Sequence, residues 1–194
     1  MAGLGNPGPS YERTRHNAGF RILDEVARRM GVEHWKKRDG ALQAHVAARS
    51  VVLVKPLSYM NESGRPIATI AGWWKAPASV VLVASDDIDL PFGRLRMRAN
   101  GGSGGHTGLK SIIEYLGDGF PRLRFGVGRG QSDTIDYVLS NFSAEEEREL
   151  PVLIDVAAEG VMRWLDRGPV DAIQYVNAWR PPAKTASEDE SRAS

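Results

Sequence analysis

Five consecutive apolar residues, Val80 to Ala84, run straight into the acidic cluster Asp86, Asp87 and Asp89. A strand that is apolar on both faces has to be covered on both, as strands inside a largely parallel sheet are. Val51 to Val54 is a second run of this kind, and Leu42 to Ala47 and Leu123 to Val127 read as further strands. Between them lie segments with helical spacing: Phe20, Leu23, Ala27 and Met30; Ile67, Ile70, Ala71 and Trp74; Leu109, Ile112, Ile113 and Leu116. Strands that alternate with helices predict an α/β fold, here a single-domain three-layer sandwich. Its central sheet is expected to be twisted, mixed but mostly parallel, and flanked by helices. Arg94 to Arg98 alternates strictly, which would put its three arginines on one face of an antiparallel partner strand. Ser143 with Glu146 makes a capping box. The helix it opens would bury Leu150, Leu153, Ile154, Ala157, Val161, Trp164 and Leu165. The domain is expected over residues 1–180; residues 181–194, rich in proline and charge without an apolar period, read as a disordered tail.

The 194 residues suffice for one domain with a sizeable core. There is no cysteine, which excludes disulfides, thiolate catalysis and cysteine-ligated zinc. No apolar run approaches the roughly 20 residues that cross a bilayer, and the start of the chain lacks the pattern of a signal peptide. The cytoplasm is the expected location, with no membrane partner. A net charge of +1 conceals a skew. From residue 94 to 129 seven basic residues (Arg94, Arg96, Arg98, Lys110, Arg122, Arg124, Arg129) face only Glu114 and Asp118, leaving 18 basic and 22 acidic residues elsewhere. A local basic zone on a balanced protein suits a phosphate-bearing ligand held on one face.

Several familiar patterns fail on physical grounds. Gly3-Leu4-Gly5-Asn6-Pro7-Gly8 matches the dinucleotide fingerprint in letters, but Pro7 and Pro9 remove two of the amides that would meet a pyrophosphate. The loop Gly101-Gly102-Ser103-Gly104-Gly105 lacks the Gly-Lys-Ser/Thr ending of a P-loop. Strand alternation sends Asp86 to the face opposite Asp87 and Asp89, against a shared cation. The histidines at 16, 34, 45 and 106 show no zinc spacing. Neither a metal nor a cofactor is expected.

Four segments, in order and at fitting intervals, carry a resemblance over nearly the whole chain before the tail. They run from Gly3 to Phe20, from Lys55 to Gly64, from Asp86 to Arg98, and from Gly101 to Ile112. In these the chain resembles the bacterial-type peptidyl-tRNA hydrolases. The resemblance implies a metal-independent esterase that frees the peptide, or an N-blocked amino acid, from peptidyl-tRNA and so recycles tRNA released prematurely from ribosomes. It implies that His16 is the general base that activates water and that Asp86 orients it. Asn6 and Asn61 match asparagines that position substrate through amide donors. Tyr11, Tyr59 and Met60 match positions around the crevice for the peptide and terminal nucleotide. Arg98 and Arg124 match a basic pair that grips the tRNA 5′-phosphate beside the acceptor stem, with Arg94, Arg96 and Lys110 as further contacts. A monomer is expected, because a tRNA acceptor arm needs an open face.

The chain departs from the family pattern at three places. Thr107 stands where the family has an asparagine beside the attacking water or terminal adenosine; a hydroxyl keeps one donor but loses the amide's reach. Ser85 replaces a common histidine. Only Met1 and Ala2 precede the first glycine, so a short first strand with few ladder bonds near Asn6 is expected. A non-catalytic RNA-binding relative of the same fold is the main alternative. Aminopeptidase-like or purine-phosphorylase-like activity would need metal ligands or a nucleoside pocket that the sequence does not display.

Overall fold

The structure is a computed structural model and describes residues 1–130 and 133–181. The expected tail lies outside the described residues from 182 onward. Seven strands form one sheet in the order β2-β3-β4-β1-β5-β7-β6. They are β1 (Ala2–Gly3), β2 (Lys36–Arg38), β3 (Ala41–Val46), β4 (Val51–Pro56), β5 (Val83–Asp87), β6 (Leu95–Arg98) and β7 (Arg122–Gly126). The four central strands β4, β1, β5 and β7 are parallel, and both flanks add antiparallel strands. The apolar run from Val80 reaches this centre only at its end: Val80 is 58% exposed in a 3-10 turn, Ala78–Val80. The strand runs from Val83 to Asp87, with Val83 and Ala84 fully buried, because an apolar run does not mark where the extended chain begins.

Helices α1 (Ala18–Arg29), α5 (Ala144–Arg167) and α6 (Pro169–Ala178) cover one face. Their Ile22, Leu23, Val26, Leu153, Val161 and Val176 enclose Leu53, Leu95, Met97, Leu123 and Phe125 of the sheet. Helices α2 (Gly64–Trp73) and α3 (Thr107–Leu116) cover the other, where Ile67, Ile70, Leu109 and Ile112 meet Leu4, Val54 and Val83. Full burial of each such side chain stabilises the fold by about 1.5–3 kcal/mol. A short helix, α4 (Thr134–Leu139), precedes the long α5, whose capping box at Ser143 and Glu146 forms as read from the sequence.

Two expectations shift. Arg94 precedes β6 rather than belonging to it, and its guanidinium donates to the carbonyls of Asn177 (2.8 Å) and Trp179 at the end of α6. It caps a helix and does not join Arg96 and Arg98 as a free cation. Strand β2 is exposed at every position, so it had no alternation to betray it. The first strand is indeed short; Met1 extends its ladder, accepting from the Val54 amide at 2.9 Å.

The start of α1 sits directly on the sheet. A Cβ on Gly19 would lie 2.3 Å from the Ala84 carbonyl oxygen and 2.5 Å from the Leu4 nitrogen; one on Gly3 would lie 2.4 Å from the Gly19 oxygen. Only two glycines allow this approach, and the approach brings the turn before α1 against the end of β5.

Candidate active site

The functional candidates gather where ligands bind open α/β sheets, beyond the carboxyl ends of the parallel strands. Asn6 follows β1, Tyr59 to Asn61 follow β4, Asp86 and Asp87 end β5, and Arg124 lies on β7. With Tyr11, His16 and Thr107 they line one cleft of about 690 Å³, whose far wall includes Ile135, Val138 and Leu139 of α4 and its end. Of the basic residues expected to meet tRNA, only Arg124 lines the cleft; Arg96 and Arg98 lie on the exposed face of β6, Arg94 precedes it, and Lys110 is exposed on α3.

His16 sits in a 3-10 turn, Arg15–Asn17, immediately before α1. Its neighbour Arg15 is almost wholly buried and holds the turn from the far side. The Arg15 guanidinium donates to Ser140 Oγ (2.7 Å), to Glu146 Oε2 (2.6 Å) and to the Asn141 carbonyl, and stacks 4.4 Å over the Tyr137 ring. On the cleft side His16 Nδ1 lies 2.9 and 3.0 Å from the two Asp86 oxygens. Against a carboxylate that nitrogen is the donor, so the lone pair belongs to Nε2.

Asn6 is buried and held by a closed set of bonds. Its backbone N–H donates to Asn17 Oδ1 (2.8 Å), its carbonyl accepts from Asn17 Nδ2 (3.0 Å), and its own Oδ1 accepts from the Met60 amide (2.8 Å). With the oxygen committed, the Asn6 amide group has its N–H pair left for the cleft. Asn61 and Thr107 are exposed at its rim, Met60 is buried beneath it, Tyr11 is half-buried and Tyr59 is mostly exposed. Ser85 is buried within β5 and does not line the cleft.

Sequence spacing missed His106. It is the N-cap of α3, where its Nδ1 accepts from the amides of Gly108 (3.1 Å) and Leu109 (3.3 Å). Its Nε2 lies 2.9 Å from Asp86 Oδ1, so two imidazoles 90 residues apart in the chain share one carboxylate. Burial pushes the Asp86 carboxyl up, but the charges of His16 and His106 at acid pH, and after them their hydrogen bonds, outweigh it and hold the group well below the usual carboxylate range. A histidine that ends a glycine-rich loop at a helix start was the available signal.

His16, Asp86 and His106 have ligand atoms close enough to surround a metal ion. The hydrogen bonds argue for another use. With Nδ1 an acceptor at the helix cap, His106 carries its proton on Nε2 and faces Asp86 as a donor. Ligating a cation would require moving that proton to Nδ1 and breaking both cap bonds.

The basic zone forms an array rather than a single pair. Across β6 and β7, Arg96 lies opposite Arg124 and Arg98 opposite Arg122, all on one sheet face. Like charges placed directly opposite destabilise a sheet. Arg122 is fully buried and donates to the carbonyls of Asp118 (2.9 Å), Phe120 (3.1 Å), Gly102 (2.8 Å) and Gly101, stacking 4.1 Å over Phe120. Burial, with a smaller push from Arg124, lowers it to about 10. Arg122 is therefore a clamp on the glycine loop. Arg124 bridges Asp87 Oδ2 (3.1 Å) and the Gly102 carbonyl (2.8 Å). Asp89 faces Arg129 instead, so the three aspartates serve three different partners.

Comparison with known proteins agrees with this geometry. The family model for peptidyl-tRNA hydrolase matches residues 1–186. The chain is 44% identical over 185 residues to the peptidyl-tRNA hydrolase of Mycobacterium ulcerans, covering 92% of this chain and 97% of that one. It is 46% identical over 167 residues to that of Nocardia farcinica, covering 83% and 86%. The crystal structure of peptidyl-tRNA hydrolase from Acinetobacter baumannii superposes with a TM-score of 0.87 at 31% identity, over 93% of this chain and 94% of that one. With its parallel-strand cleft, its His16–Asp86 pair and these relatives, the chain belongs to the peptidyl-tRNA hydrolase family of enzymes.

Proposed function

We propose that this chain hydrolyses the ester between a peptide and the terminal ribose of tRNA by direct attack of water, with His16 as general base. The observation that carries this reading is the His16 Nδ1–Asp86 bond at 2.9 Å, which leaves the Nε2 lone pair to a ring that lines the cleft. Nε2 takes a proton as the water oxygen bonds to the ester carbonyl carbon. Asp86 fixes the tautomer and favours the imidazolium that forms. The N–H group of Asn6, its orientation set by the Met60 amide, donates to the developing oxyanion, with Asn61 at the rim as a second donor. Collapse breaks the bond to the ribose 3′-oxygen, which receives the proton from His16, releasing free peptide and tRNA. An alkoxide leaves far more readily than the nitrogen anion that an amide would have to expel, so a base, its partner and amide donors suffice. His106 acts as a donor at the only cluster suited to a cation among the described residues, which supports a mechanism without metal.

Met60, Tyr11 and Tyr59 would border the peptide and the terminal nucleotide, with Thr107 beside the water. Arg124, Arg98 and Arg96 share one sheet face beyond the cleft, a geometry suited to the 5′-phosphate and acceptor stem of the same tRNA. Residues 1–180 would act as one domain. The reading implies a cytoplasmic monomer whose cleft stays open to an acceptor arm; no described helix is long and apolar enough to cross a membrane.

The test is N-acetyl-aminoacyl-tRNA turnover, with and without chelator, by wild-type protein and His16→Ala. Expected is chelator-insensitive cleavage that falls roughly 10²–10⁴-fold in the variant with tRNA binding kept. Retained turnover in His16→Ala would overturn the role of His16, and binding without cleavage by wild type would favour a non-catalytic RNA-binding relative.

A further inference from the structure

We propose that His106 is a positioning residue for this reaction: as a fixed Nε2–H donor, it sets the orientation of the Asp86 carboxylate and its hold on His16. The proposal rests on the reading of His16 as the base. Its foundation is the helix cap. Two backbone amides at the start of α3 donate to His106 Nδ1, which therefore keeps a lone pair and cannot carry the ring's proton. The proton is on Nε2, 2.9 Å from Asp86 Oδ1. A helix terminus thus imposes a tautomer on a side chain, and the tautomer imposes a donor on a buried carboxylate.

Two consequences follow for His16. The first is geometric. His16 Nδ1 is about equally close to both Asp86 oxygens, 2.9 and 3.0 Å, so that bond alone leaves the carboxylate free to swing. His106 grips one of those oxygens from a second direction, with the two rings 5.1 Å apart and tilted by 38°. The second is electrostatic. A carboxylate that already accepts one N–H attracts the proton of another imidazole less strongly. Sharing Asp86 thereby restrains it from trapping His16 as an idle imidazolium, while leaving it able to assist once the proton arrives. The remaining ionisable groups of the cleft wall are Tyr11, Tyr59, Asp87, Arg124 and Arg129, and the two tyrosines make no hydrogen bond to Asp86. Asp87 is paired with Arg124, Arg129 with Asp89, and the adjacent Arg15 with Glu146, so His106 is the group through which Asp86 is tuned.

Two substitutions separate this role from helix capping. His106→Asn keeps an oxygen at a favoured N-cap position but is too short to reach Asp86. His106→Gln carries an amide N–H at about the reach of Nε2. The readout is the pH profile of kcat on N-acetyl-aminoacyl-tRNA. In His106→Asn the acidic limb should move up by about one pH unit, lowering kcat roughly tenfold on that limb while KM changes little. His106→Gln should return the limb to within a few tenths of a unit of wild type. An unmoved limb in His106→Asn, or an equal shift in both variants, overturns the proposal. Nitrogen NMR of wild-type protein tests the premise without any variant: His106 should be neutral and Nε2-protonated at pH 7, and an Nδ1-protonated or doubly protonated ring overturns it. Turnover retained by His16→Ala would sink the base assignment instead, and would leave the His106 tautomer measurement untouched.

Discussion

Arg15 and Glu146, 131 positions apart, meet in a 2.6 Å hydrogen bond that ties the turn carrying His16 to the first turn of α5. The same carboxylate oxygen accepts the Ser143 amide at 2.7 Å and so closes the capping box. One side chain caps a helix and anchors the neighbour of His16.

Glu146→Ala should therefore cost more than a cap. A lost cap is worth about 1 kcal/mol, and an unpaired guanidinium left almost buried adds to it. A total of about 2–4 kcal/mol, or roughly 5–15 °C in melting temperature, is expected. Glu146→Gln, which can still accept the Ser143 amide, should lose distinctly less. Calorimetry of the two variants checks the ranking.

Asn6→Asp keeps an oxygen for the Met60 amide but removes the N–H pair and places a negative charge beside the developing oxyanion. A fall in kcat of roughly 10²–10³ is expected with little change in tRNA binding. Single-turnover kinetics with a filter-binding control decides it; a change confined to KM would remove Asn6 from the transition state.

Asp86 makes stability depend on acid. A carboxyl held below its ordinary value of 3.8 stabilises the fold fully above that value, and the contribution is lost as pH falls further. Wild-type protein should lose stability steeply below about pH 4, whereas Asp86→Asn should begin less stable and show a shallower acid slope. Urea titrations across that range measure both slopes. The variant should also lose activity roughly 10²-fold or more, because a neutral amide no longer favours the productive tautomer or the imidazolium.

How much of this was legible beforehand differs by element. The helical spacings and the capping box stated the layered fold directly, because each follows from local periodicity or a local cap. The apolar run from Val80 to Ala84, by contrast, pointed to a central strand but not to its start at Val83. His16 and Asp86 were found through family resemblance, since nothing local joins residues 70 apart. His106 was passed over because its role arises only when the start of α3 reaches the end of β5. Arg94 was misplaced because alternation counts residues and cannot tell where a strand begins. Helix α4 is six residues long, too short for a period to show.

The arginine face should make binding salt-dependent. Both terminal nitrogens of Arg124 already donate, one to Asp87 and one to Gly102, so a phosphate has to compete with them or take their remaining N–H groups. Arg124→Ala should raise KM about tenfold, leave kcat within a factor of two or three, and flatten the dependence of log KM on log salt. Arg96→Ala should have a smaller effect in the same direction. A salt slope equal to that of wild type would take Arg124 out of phosphate recognition.

Thr107 is exposed on the cleft and has room for a larger side chain. Thr107→Asn should raise kcat several-fold by restoring an amide donor beside the water. An unchanged or lower rate would mean that the hydroxyl already does this work.

The contact of Gly3 with Gly19 makes empty space a functional requirement of this chain. On an open surface an added methyl group is a small perturbation. At these two positions it would push α1 off the sheet and carry His16 away from Asp86 with it. The meeting of His16 with Asp86 thus rests on two places where this chain has no side chain at all.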